Sequence, residues 1–145
     1  GGAGEFAGAA GARKGGYILL DPEDHRPDAI IMATGSEVQY AVKAAKELAL
    51  DGVKTRVVSL PCLEWFEAQP PAYKDQVLPP DVKARVSVEA GIAMPWYKYL
   101  GDAGIAISVE TYGASASQSE LYQKFAINAD SVRMTLLNSI ENAKI

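Results

Sequence analysis

The clearest pattern of apolar and polar positions lies between Asp28 and Leu60, and it predicts one strand–helix–strand unit. From Asp28 to Thr34 the chain carries an unbroken apolar run, Ala-Ile-Ile-Met-Ala. A run without polar alternation is typical of a strand that is buried on both faces of a parallel sheet. The run stops at Thr34-Gly35-Ser36, and serine is a favoured residue for the N-cap of a helix. We therefore expect a helix that is capped by Ser36.

The next segment predicts that helix and a second strand. Apolar side chains recur at three- and four-residue steps from Val38 to Ala49, which gives one apolar stripe along a helix. Asp51-Gly52 is expected to end the helix, because glycine readily adopts the left-handed conformation found just after a helix C-terminus. The β-branched run from Thr55 to Leu60 then predicts a strand. A right-handed crossover would place this strand parallel to the first one.

Weaker patterns predict three more strands, at Gly16 to Leu20, Ala84 to Glu89 and Ala106 to Glu110. The turn residues after Leu20 would let the first of these pair antiparallel at an edge of the sheet. Helices are predicted from Pro61 to Glu67, from Tyr73 to Val77, from Trp96 to Leu100, after a capping box at Ser117 and Glu120, and after an N-cap at Asn128. The fold class expected is therefore α/β, with three α/β/α layers and a five-stranded, mostly parallel mixed sheet that has one antiparallel edge strand.

The composition of the chain argues against some classes of function. The chain has 145 residues, of which 48% are apolar, and it suits one globular domain. Residues 1–14 are predicted to be a linker or a remnant of cloning, and residues 15–145 the domain. A net charge of −4 with scattered basic residues argues against binding to nucleic acid or to an anionic membrane. The sequence shows no apolar run of membrane-spanning length and no signal peptide, so we expect a cytoplasmic protein.

Two features at predicted strand ends are candidates for ligand chemistry. Backbone N–H groups of Gly35, Ser36 and Glu37 could hold a phosphate or a carboxylate at the start of the helix. A dinucleotide fingerprint has three glycines where this turn has one, so turn geometry explains the segment about as well. Glu89 and Glu110 each end a strand at the crevice where open α/β sheets bind ligands. They could act as an acid–base pair, but a structural role in capping loops or helices is the favoured interpretation.

Nucleophile and metal chemistry have weaker support in the sequence. Gly113 to Ser117 nearly matches the nucleophile elbow G-x-S-x-G, but the second glycine is replaced, and His25 precedes the serine although the fold requires it later. Cys62, the only cysteine, is interpreted as a packed side chain. One cysteine and one histidine cannot supply a four-ligand zinc site. Among the functions that these residues themselves suggest, a stand-alone module that binds an anion or a nucleotide therefore remains.

Four segments together resemble the C-terminal domain of transketolases. They are ATGSEV at Ala33 to Val38, RVVSLPCLEWFEAQ at Arg56 to Gln69, VEAGIAMPWYKYLGDAG at Val88 to Gly104 and GASAS at Gly113 to Ser117. The resemblance covers the chain from about residue 15 to its end. Family members usually carry Phe-Gly where this chain has Phe125-Ala126, and Thr where it has Asn128, and both differences fall at helix ends.

The resemblance implies a role without catalytic residues for this segment. Transketolases are thiamine diphosphate enzymes of the pentose phosphate pathway that transfer two-carbon ketol units between sugar phosphates. Their cofactor and its divalent metal lie between two other domains, across a homodimer interface, and the catalytic residues of those domains match no position here. We therefore expect no cofactor in this fragment. The implied partners are the remaining transketolase domains and a second subunit.

Aromatic residues on two of the short predicted helices suggest where such partners would dock. These aromatics are Trp65, Phe66, Trp96, Tyr97 and Tyr99. Consecutive helical positions diverge, so one member of each adjacent pair should reach the surface. Aromatic side chains are enriched in protein interfaces. We expect Phe66 and Tyr97 to belong to the docking surface for the rest of the enzyme.

Overall fold

The computed structural model describes residues 9–89, 97–108 and 127–144, and a five-stranded sheet lies at its centre. The strands are β1 (Tyr17–Leu20), β2 (Ala29–Ala33), β3 (Thr55–Ser59), β4 (Arg85–Glu89) and β5 (Ile105–Ser108). The helices are α1 (Ala9–Ala12), α2 (Val38–Leu50), α3 (Leu63–Glu67), α4 (Pro71–Val77), α5 (Tyr97–Leu100) and α6 (Ala129–Ala143). Within the described ranges, no helix combines the length and apolar character that crossing a membrane would require.

The sheet confirms the predicted fold class. Its strand order is β1-β3-β2-β4-β5. β1 pairs antiparallel with β3 at one edge, and the pairs β2 with β3, β2 with β4 and β4 with β5 are all parallel. β2 lies in the middle, and all five of its residues are fully buried, as the unbroken apolar run predicts.

Alternate residues of the strands pack into two hydrophobic layers, because successive side chains of a strand point to opposite faces. On one face, α2 and α6 cover Ile31, Val57 and Val86. On the other face, side chains from α3, α4 and α5 join Ile30 and Met32 in a second cluster. Phe66, Val77 and Tyr99 are the buried members that these short helices contribute. The sheet is therefore sandwiched between two helical layers.

Two predicted helix starts are wrong in detail. Gly35 has a φ of +59°, and Gly35–Glu37 forms a 3₁₀ turn before α2 begins at Val38. The left-handed backbone at Gly35 redirects the chain, so Ser36 does not cap the helix and its hydroxyl instead donates to the Glu37 carboxylate at 3.0 Å. Similarly, Cys62 is the N-cap of α3, and Pro61 precedes the helix.

Other predicted boundaries are confirmed. Gly52 follows α2 with a φ of 83°. Asn128 caps α6, accepting a hydrogen bond from the Ser131 N–H at 2.8 Å, while the Ser131 hydroxyl accepts one from the Asn128 N–H at 3.0 Å. This reciprocal arrangement satisfies two backbone donors at the start of the helix. The helix predicted after Ser117 lies outside the described residues.

The segment just before β1 packs on the domain. Gly15 has a φ of 81°, and a Cβ atom there would lie 2.2 Å from the Cys62 carbonyl oxygen, so only glycine fits against α3. Lys14 Nζ lies 4.4 Å from the centroid of the Tyr73 ring. Lys14, the last residue of the predicted linker, thus contacts α4, and Gly15, the first residue of the predicted domain, contacts α3. The division of the chain at residue 14 stays a prediction.

Candidate functional site

The carboxyl ends of β2 and β4 meet where the order of the sheet reverses. The chain passes from β2 through α2 to β3 on one side of β2, whereas β4 lies on its other side. Ligands of open α/β sheets bind at such a switch point. The register pairs Ala33 with Val88, so the turn at Thr34 lies beside Glu89. Two of the predicted site features therefore lie next to each other.

The charges at this edge disfavour an anion. Glu37 is half-buried in the turn, its N–H donates to the Thr34 carbonyl at 3.2 Å, and its carboxylate accepts the Ser36 hydroxyl. Glu89, a half-buried residue, adds a second carboxylate at the neighbouring strand end. A helix end offers an exposed anion about 0.3–1 kcal/mol, which nearby negative charge readily cancels. Anion binding at Gly35, Ser36 and Glu37 stays a prediction.

The proposed pairing of Glu89 with Glu110 is tested only in part by the geometry. β4 and β5 are parallel neighbours in the sheet. The register places Ser108 opposite Glu89, two residues before Glu110. Glu110 itself lies outside the described residues. An acid–base role for this pair therefore stays a prediction.

At the opposite ends of the strands, Arg56 near the start of β3 forms a buried ion pair that the sequence analysis missed. Its Nε and Nη2 donate to the two oxygens of Asp21 at 2.8 Å and 3.1 Å. Only 4% of the Arg56 side chain and 6% of the Asp21 side chain are exposed. Nη1 donates to the carbonyls of Gln76 and Val77, and Nη2 also reaches the His25 carbonyl at 3.3 Å. All the donors of this guanidinium are thus used inside the fold.

Arg85, at the start of β4, forms a second set of contacts beside the first. Its N–H groups donate to four carbonyls: Nε to Val82 at 2.8 Å, Nη1 to Tyr99 at 2.7 Å, and Nη2 to Pro79 at 2.7 Å and Leu78 at 3.3 Å. Burial lowers the pKa of Arg85, and the nearby Asp81 carboxylate partly offsets this effect. The guanidinium stays charged at neutral pH. Arg56 and Arg85 together hold the carbonyls from Gln76 to Pro79, where α4 ends.

A cavity of about 690 Å³ opens beside Arg85, at the amino ends of β4 and β5. Its wall includes Lys83, Lys98 and Asp102, together with the end of α6. Nothing in the sequence analysis pointed to this place, because its residues come from three separated segments. It lies at the amino ends of the strands, whereas the predicted crevice lies at their carboxyl ends.

The aromatic residues correct one predicted docking position. Phe66 is fully buried, with its ring centroid 5.7 Å from that of Tyr99 and 6.2 Å from that of Tyr73. Trp65 is the residue of the pair that faces solvent, with 58% of its surface exposed. Phe66 cannot serve as a docking residue because α3 turns position 66 toward the sheet. The side chain of Tyr97 lies outside the described residues.

Tyr99, on α5, is the third aromatic residue of this cluster. Burial, together with the neighbouring Glu67 carboxylate, raises the pKa of Tyr99 to about 12. Its hydroxyl is therefore neutral at physiological pH. The Glu67 carboxylate also lies 3.4 Å from Lys98 Nζ, which links the ends of α3 and α5.

Comparison with known proteins identifies the family. The family model for the transketolase-like TK C-terminal domain matches residues 15–128. The chain is 47% identical to the transketolase of Mycobacterium bovis over 138 residues, which cover 92% of this chain and 20% of that protein. The chain thus spans only a fifth of the length of this relative.

Solved structures agree with the sequence comparison. The transketolase of Leishmania mexicana matches 99% of this chain with a TM-score of 0.79 at 38% identity. A transketolase from Pichia stipitis in complex with sedoheptulose 7-phosphate matches 97% of it with a TM-score of 0.80 at 35% identity. Each match covers 20% of the solved chain. With a family model matching most of its length and relatives agreeing in both sequence and fold, this chain belongs to the transketolase C-terminal domain family.

Proposed function

We propose that this chain acts as the C-terminal domain of a transketolase that transfers two-carbon ketol units between sugar phosphates. The observation that carries the proposal is its 47% identity to a transketolase across 92% of its own length. The sugar phosphate bound to the Pichia stipitis relative supports the substrate class. We place the enzyme in the pentose phosphate pathway and in the cytoplasm.

The described residues do not fit thiamine diphosphate and its metal ion. A diphosphate-bound metal needs several oxygen ligands, and no group of three His, Cys, Asp or Glu side chains suited to a metal occurs in the described ranges. The turn at Gly35 carries the Glu37 carboxylate, which would repel a diphosphate. We therefore assign cofactor and metal to other domains of the full-length enzyme, and a supporting role to this one.

The first test separates this domain from the catalytic machinery. With thiamine diphosphate and Mg²⁺ added, the isolated chain is expected to show no turnover of xylulose 5-phosphate and ribose 5-phosphate. The full-length enzyme is the positive control, and a mock purification is the background. Turnover by the isolated chain above that background would contradict the assignment of catalysis to other domains.

The proposed docking surface lies on the α3 and α5 side of the sheet. Trp65 is exposed on α3, and Tyr97 begins α5. The ion pair between Glu67 and Lys98 shows that the two helices are neighbours. Exposed aromatic residues bury large areas in interfaces at a modest entropic cost. We propose that this face contacts the remaining transketolase domains and supports the homodimer.

The second test uses the full-length enzyme with Trp65→Ser and Tyr97→Ser changed separately and together. The double variant is expected to raise the dimer dissociation constant by about tenfold or more, as aromatic interface anchors do when truncated. Analytical ultracentrifugation measures the constant. Leu50→Ser is the control, because Leu50 is 88% exposed on α2, across the sheet from α3. If the control and the double variant changed the dimer dissociation constant equally, the proposed docking surface would be contradicted.

A further inference from the structure

The cavity beside Arg85 has the size of a small-molecule site. Its volume of about 690 Å³ falls within the range of about 300–1,000 Å³ that such sites occupy. The segment entering β4, the turn between α5 and β5, and the end of α6 form its walls. Val82 and Leu100 provide apolar surface, and Asn142 provides an amide. An organic molecule with a polar group would therefore find both kinds of contact.

The charges around this cavity are unbalanced. Lys83, Arg85 and Lys98 line it, whereas Asp102 is the one carboxylate among the described lining residues. Among the described residues, the Arg85 guanidinium donates only to carbonyl oxygens and has no carboxylate at ion-pair distance. The nearby Asp81 carboxylate offsets the burial of this cation only in part, so an approaching anion would stabilise it further.

Two of the three cations can turn toward a ligand at little cost. Lys83 is exposed and makes no hydrogen bond or ion pair with any described residue. Lys98 has 61% of its side chain exposed, and its 3.4 Å contact with Glu67 is an exposed ion pair of little strength. Arg85 Nη1 donates one of its two N–H groups to the Tyr99 carbonyl, and the second has no acceptor among the described residues.

We propose that this cavity is an anion site for a small phosphorylated metabolite. The phosphate group would lie among Lys83, Arg85 and Lys98, and the organic part would lie against the apolar wall. A phosphate suits several separate cations, because its oxygens accept charge-assisted hydrogen bonds from more than one direction. The turn at Gly35 offers a different environment, because the Glu37 carboxylate lies within it. The site is independent of the catalytic proposal, since it needs only this chain.

The test follows backbone amide shifts of the isolated chain by NMR during titration with inorganic phosphate and with ribose 5-phosphate, at constant ionic strength. Shifts are expected to saturate and to centre on residues 82–85 and 98–103. Lys83→Gln and Lys98→Gln should each weaken binding by about three- to fivefold, and the double variant by about tenfold. Lys43→Gln is the matched control, because Lys43 is an exposed lysine on α2 and its change removes the same charge.

Four results would overturn the proposal, the last two of them given together. One is a set of saturating amide shifts centred on residues 34–37, which would place the anion at the carboxyl ends of the strands. Another is equal weakening by the Lys43 and Lys83 variants, which would indicate general charge attraction. The third is a titration with ribose that matches the one with ribose 5-phosphate, or no saturable shift with either phosphate. Thermal unfolding of each variant verifies that the fold is intact.

Discussion

Replacing Arg56 by Met is expected to lower the free energy of unfolding of this chain by about 3–5 kcal/mol, as the loss of one partner from a buried ion pair does. The change leaves the Asp21 carboxylate, whose side chain is 6% exposed, without its bidentate partner. It also removes the donor that the Gln76 and Val77 carbonyls share. Urea unfolding followed by circular dichroism measures the loss.

Two further variants test the cause of this loss. Changing Asp21 to Asn in the Arg56→Met background should recover part of the stability, because it removes a buried carboxylate charge whose remaining side-chain contact is with the exposed His25 ring, at 2.9 Å. Lys54→Gln breaks the exposed ion pair between Lys54 and Asp24, whose side chains are 45% and 51% exposed, and should have a much smaller effect. Comparable losses from Lys54→Gln and Arg56→Met would show that burial does not determine the cost.

Replacing Phe66 by Ala is expected to lower the free energy of unfolding by about 3–5 kcal/mol, the usual cost of removing a buried aromatic ring. Phe66 is fully buried and contacts the rings of Tyr73 and Tyr99 edge-on. A Cβ atom at Gly16 would lie 2.8 Å from the Phe66 ring, so the backbone closes over it as well. The neighbouring groups are therefore held in place and cannot readily move into the space that the ring leaves in the Phe66→Ala variant.

The neighbouring tryptophan is the matched control for this change. Trp65→Ala removes a larger ring, but 58% of the Trp65 surface is exposed, and the loss should stay below about 1 kcal/mol. Urea unfolding of both variants gives the comparison. If Trp65→Ala proved as destabilising as Phe66→Ala, the assignment of Trp65 to a docking surface would fail, because its ring would be needed within the domain.

The central unit could be predicted because its signals are local. A fully apolar strand, a helical stripe and a C-terminal glycine each occupy a few consecutive residues, and β2, α2 and β3 appear where those signals place them. Which of Trp65 and Phe66 faces the core and which faces solvent could not be predicted. α3 has only five residues, so its apolar stripe is too short to define a face. The start of α2 was missed because the positive φ of Gly35 allows a 3₁₀ turn.

The arginine contacts and the cavity could not be predicted, for a different reason. Arg56 and Arg85 bond mainly to backbone carbonyls, which carry no sequence signal, and the Arg56 acceptors Gln76 and Val77 lie 20 and 21 residues away. One clue was present: an arginine stands inside the β-branched run of β3, where a charge needs a partner. Following that clue would have suggested an ion pair, but not its partner.

The two arginines also determine how α4 opens. A seven-residue helix is too short to persist alone in water, so α4 depends on its attachments. Its last carbonyls are held by Arg56 from β3 and Arg85 from β4, the two strands that flank β2. Unwinding α4 must therefore release side chains rooted on both sides of the central strand. These contacts therefore oppose local fraying of the end of α4, and its amides should exchange with solvent more slowly than those of a helix end without them.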